Sequence, residues 1–105
     1  MEVQITSRHA KAPDSLKDTI TWKLYRLERF FDKITSCHVI IDTESINQVV
    51  EIVINCLNHT VRAKAKEENI GKALDEAIDK AEIQLKKINT KIKGQRAKKK
   101  VEVKE

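Results

Sequence analysis

Val3, Ile5 and Ser7 alternate with Glu2, Gln4 and Thr6, a period of two that predicts a short first strand. Pro13-Asp14-Ser15 then signals a helix start, with Ser15 and Asp18 spaced as a capping box in which Asp stands for the stronger Glu. From that point Leu16, Ile20, Leu24, Leu27, Phe31 and Ile34 recur at steps of three or four, the apolar stripe of an amphipathic helix over residues 15–33. Two β-branched runs follow, residues 36–43 and 48–57, joined by the short and mostly polar Glu44-Ser45-Ile46-Asn47, so a hairpin is expected. Asn58-His59 marks a second turn. Val61, Ala63 and Ala65 then alternate with Arg62, Lys64 and Lys66, a half-buried strand with a basic outer face.

Asn69 is placed to cap a final helix with the stripe Ile70, Leu74, Ala77, Ile78, Ala81, Leu85, Ile88 and Ile92. Gly94 is the expected stop, with Lys91 and Lys93 where the helix dipole favours cations. The reading is α+β, in the order β-α-β-β-β-α: an antiparallel four-stranded sheet with both helices packed on one face. Residues 1–94 form one domain, and the polar, charged residues 95–105 are expected to be a disordered tail.

Composition narrows the class. A chain of 105 residues that is 40% hydrophobic and 35% charged suits a single domain with a modest core and a heavily solvated surface. No apolar run is long enough to span a bilayer, and the alternating first ten residues do not form a secretory signal, so a cytosolic protein is expected. Two cysteines, Cys37 and Cys56, do not make a disulfide framework. The net charge of +5 is unevenly placed, because residues 83–100 carry eight Lys and Arg and no Asp or Glu. Such an excess favours a polyanionic partner through counterion release.

A helical wheel of about 100° per residue sets Trp22, Arg29 and Lys33 opposite the first helix's stripe, with Tyr25 and Arg26 beside them. Aromatics interleaved with cations suit base stacking and phosphate contact. They also suit a protein interface, and the residues leave both open. On the second helix Lys80, Lys87 and Lys91 share one flank, while Asp75, Asp79 and Glu82 share the other.

Catalytic chemistry has no foothold. No Gly-rich phosphate loop, nucleophile elbow or HExxH occurs, and His9, His38 and His59 lack an evident Asp or Ser partner. Cys37-His38 and Cys56-x-x-His59 have the residue types for zinc, yet strand neighbours point to opposite faces, so the four do not converge. The reading is a non-enzyme with no catalytic residue, no metal and no cofactor.

Ile5-Thr6-Ser7-Arg8-His9, Leu16-Lys17-Asp18, Lys23-Leu24-x-Arg26-Leu27-Glu28-x-Phe30-Phe31-Asp32-Lys33-Ile34, Ala73-Leu74-Asp75, Asp79-Lys80 and Gln84-Leu85-x-Lys87 together resemble the hibernation promoting factor and ribosome-associated inhibitor family. The resemblance spans residues 1–93. It implies a domain shaped like double-stranded-RNA-binding domains that lodges in the small ribosomal subunit, where messenger RNA and transfer RNAs would sit. It implies a stress-response factor that inhibits translation, binds no small-molecule substrate and no membrane, and in some members pairs ribosomes into inactive dimers.

The family's basic helix sites fall by position on Lys23, Arg26 and Lys33, and on Lys80, Lys87 and Lys91; Arg8 matches the basic position after the first strand. Arg29, Trp22 and Tyr25 join them from the wheel. Three departures stand out. Asn69-Ile70-Gly71 replaces a common Asp-Met-Tyr, Ile83 replaces an Arg before Gln-Leu, and the 105 residues carry neither the second domain of long members nor an acidic tail, as expected of a short form or of the N-terminal domain of a long form. Two further readings remain: an RNA-binding adaptor for free structured RNA, and a protein-interaction or transcription-modulating domain.

Overall fold

The computed structural model describes residues 1–9, 12–31 and 33–97, with side chains up to residue 88. Its elements are β1 (Glu2–Ser7), α1 (Asp14–Phe30), β2 (Ile34–Glu44), β3 (Asn47–Cys56), β4 (His59–Glu67) and α2 (Ile70–Ala97), in the expected order. The four strands form one sheet in the order β1-β2-β3-β4.

Alternation along each strand builds the core as three rungs. Val3, Cys37, Ile54 and Val61 make one, Ile5, Val39, Ile52 and Ala63 the next, and Ser7, Ile41, Val50 and Ala65 the third. Val39, Val50, Ile52 and Ile54 have no accessible surface, and Ile20, Leu24 and Leu27 of α1 and Leu74, Ala77, Ala81 and Leu85 of α2 close over them in one cluster. Burying each such aliphatic side chain stabilises the fold by about 1.5–3 kcal/mol before entropy is counted. The alternate set, including Gln4, His38, Glu51 and Arg62, lies on the opposite face, which no helix covers.

Four expectations need correction. The sheet is mixed: β1 pairs parallel with β2, because α1 is a crossover that returns the chain to the same end of the sheet. Ser15 does not cap α1. Pro13 is the N-cap residue and its carbonyl receives the amides of Leu16 and Lys17, so the helix begins one residue earlier and ends at Phe30, short of residue 33. Leu57-Asn58 forms the second turn, one residue before the expected place. Gly94 does not stop α2, since a lone Gly costs a helix only about 1 kcal/mol among good helix formers. The rest of the expected tail, residues 98–105, lies outside the described residues.

Candidate nucleic-acid interface

The core stripe of α1 fixes what its other side presents. Trp22 is 60% exposed and Tyr25 46%, with Arg26 and Arg29 also exposed on that outer ridge; Lys33, which the helical wheel set there, is exposed in the turn between α1 and β2, because the helix ends at Phe30. The Arg26 guanidinium lies over the Trp22 ring at 5.1 Å, a cation–π contact that orients both groups while leaving the cation in solvent. None of Arg26, Arg29 and Lys33 has an ion pair with a described residue. Arg29 stands in the last helical turn, where the dipole also favours it. Phe30, 72% exposed beside this ridge, has no role in the sequence reading; its position off the core stripe was the available signal.

Lys23 sits differently. Its ammonium pairs with Asp75 at 3.0 Å across the helices, so it braces α1 against α2. Around that pair runs a groove of about 410 Å³, lined among others by Arg26, Leu27, Phe30, Ile78, Asp79 and Glu82. The acidic flank of α2 thus faces α1.

The basic flank of α2 turns the other way, onto the edge of the sheet. Lys80 donates from Nζ to the Lys64 carbonyl at 2.9 Å, with Glu76 at 3.8 Å, and Gln84 donates from Nε2 to the Arg62 carbonyl at 2.7 Å. Lys87 is exposed farther along this flank, and Ile83 beside it is 54% exposed. Lys91 lies on the α2 backbone, but its side chain is outside the described residues. Lys23 apart, the expected helix cations whose side chains are described thus form two patches with the acidic flank between them. Arg62, Lys64 and Lys66, the basic outer face that alternation predicts for β4, had no functional role assigned from sequence; all three are exposed, on the face that meets the α2 patch at the strand's edge.

Arg8 is exposed just past β1, and its amide donates to the Ile41 carbonyl at 2.8 Å. Beside it His9 Nδ1 lies 2.7 Å from Asp42 Oδ1. That bond, with a second from the Thr43 amide and the charges of His9 and Arg8 nearby, holds the Asp42 carboxyl below its usual 3.8.

The cysteines belong to the core. Cys37 is buried, and its thiol is pushed up to about 12 by burial and then by the nearby Glu28 carboxylate. Cys37 and His38 occupy opposite faces of β2, and among the described residues no group of His, Cys, Asp and Glu could hold a metal. Among the described residues, no helix is long and apolar enough to cross a membrane. What the exposed arrangement can do is bind phosphate and stack bases.

Residues 3–93 match the sigma 54 modulation protein / S30EA ribosomal protein family. The chain belongs to that family. It is 38% identical over 87 residues to the ribosome hibernation promoting factor of Pseudomonas putida, covering 83% of this chain and 85% of the relative. Its fold is that of a ribosomal subunit interface protein from Coxiella burnetii, with a TM-score of 0.81, 24% identity, and 86% and 99% of the two chains covered. The N-terminal domain of Thermus thermophilus Protein Y matches with a TM-score of 0.76 and 23% identity, over 84% of this chain and 99% of that one. The S30EA match runs from β1 into the last turns of α2, so both basic patches lie within the family domain.

Proposed function

We propose that this chain is a cytoplasmic ribosome hibernation factor. Residues 1–94 bind ribosomal RNA in the decoding channel of the small subunit and exclude messenger and transfer RNA, inhibiting translation under stress without catalysis. The observation that carries the reading is the outer ridge of α1, on a domain whose curated relatives are named for ribosome hibernation. There Trp22, Tyr25, Arg26 and Arg29 are exposed together, with Lys33 in the turn just past the helix, the cations without ion pairs to described residues. Base stacking and phosphate contact use those side chains as they stand. Arg8, Lys80, Lys87 and Lys91 extend the contact, while Lys23 contributes by holding the helices in register through Asp75.

Sucrose-gradient co-sedimentation with small subunits and whole ribosomes, at low and near-physiological salt, tests this. The protein travels with both, and pre-bound messenger RNA and initiator transfer RNA displace it. Failure to co-sediment even at low salt would overturn the reading in favour of free RNA or a protein partner.

A further inference from the structure

The exposed cations of β4 have no part in the ridge of α1. β4 is an edge strand, and the outward carbonyls of Arg62 and Lys64 are already taken by Gln84 and Lys80. Those two bonds close the edge to a further strand, which removes an added β-strand as its partner. They also bring the basic flank of α2 to the edge of β4, where it meets the margin of the opposite, basic face.

We propose that this β4 edge is a second RNA-phosphate site, formed by Arg62 and Lys64 on the strand and Lys80 and Lys87 on the adjoining flank of α2. Alternate positions on a strand stand about 6.7 Å apart, on the scale of the phosphate step in a nucleic-acid strand. Arg62, Lys64 and Lys87 are exposed and have no ion pair with a described residue. Three carboxylates border the site: Glu76 on α2, 3.8 Å from Lys80, and two on the sheet. Glu51 is opposite Lys64 on β3, and Glu44, which holds Lys66 at 2.6 Å, is on β2; Arg62, Lys64 and Lys87 keep the margin predominantly cationic. Ile83, on the same helical face as Lys80 and Lys87, adds an apolar contact for a sugar or base. Its exposure then has a use.

The proposal takes its setting from the ribosomal reading, but the site acts by charge on any RNA backbone and is tested separately. The full chain and an Arg62→Gln/Lys64→Gln variant are titrated against purified small subunits between about 50 and 200 mM salt. The slope of log affinity against log salt becomes shallower by about 1.4–1.8 in the variant, two phosphate contacts fewer. An unchanged slope there, alongside a shallower one for Arg26→Gln/Arg29→Gln, would overturn the β4 site and leave the proposed function standing. If the unmodified chain does not bind small subunits, the function fails and the site is judged on single-stranded polyuridylate. There a slope loss of about 1.4 supports it and no loss overturns it. Matching melting temperatures confirm folding; should the double variant unfold, Lys64→Gln alone loses about 0.7–0.9 of slope.

Discussion

Leu57 turns the chain between β3 and β4 with φ at 56°, and Ser45 does the same between β2 and β3 at 59°. A branched side chain in the left-handed region costs about 1–2 kcal/mol, and Leu57 is exposed, so packing returns little of it. Asn tolerates that conformation. Leu57→Asn is therefore expected to raise stability by about 0.5–1 kcal/mol, read as a shift in the urea midpoint at unchanged slope. Asp42 supplies a second residue-scale effect. A carboxyl held below its unfolded value of 3.8 contributes stability that is complete above that pH and fades as pH falls through its lower folded value. His9→Ala removes the largest cause, so the Asp42 titration seen by carboxyl-resolved NMR moves up toward 3.8. Neither effect was legible in sequence: positive φ at Leu57 depends on hairpin register, and Asp42 lies 33 residues from His9.

Elements were more legible than their partners. The alternations in residues 2–7 and 36–66 and the three-four spacings of both helices identify every strand and helix, because burial on one face imposes the period. Asn69 caps α2 as expected, accepting the Lys72 amide at 3.0 Å. Gly71 is then no simple weakness, since a Cβ there would meet the same Asn69 oxygen at 3.2 Å. Asn69→Ala is expected to cost about 1 kcal/mol, lowering the melting temperature by about 4–8 °C for a domain of this size. Some corrected features are local, such as the Pro13 cap bonded to Leu16 and Lys17 and the helix running past Gly94; others are tertiary. The parallel pairing of β1 and the contacts of Gln84 and Lys80 with β4 depend on how elements meet, which no local period encodes.

Across the whole molecule, the helices and sheet separate charge. The acidic flank of α2 is turned into the groove against α1, where Asp75 meets Lys23; cations remain on the α1 ridge and along the β4 edge. A wheel predicts which residues leave the core but not what they face. The family resemblance accordingly grouped Lys23 and Lys80 with the other cations, whereas one braces the helices and the other fastens α2 to the sheet. The central claim is that the α1 ridge meets ribosomal RNA. Its most direct test is the affinity of an Arg26→Glu/Arg29→Glu variant for purified small subunits at near-physiological salt, with melting confirming the fold. Loss of about tenfold or more, from about 1.4 kcal/mol or more of lost phosphate contact and new repulsion, is the predicted result. Affinity equal to that of the unmodified chain would contradict the account.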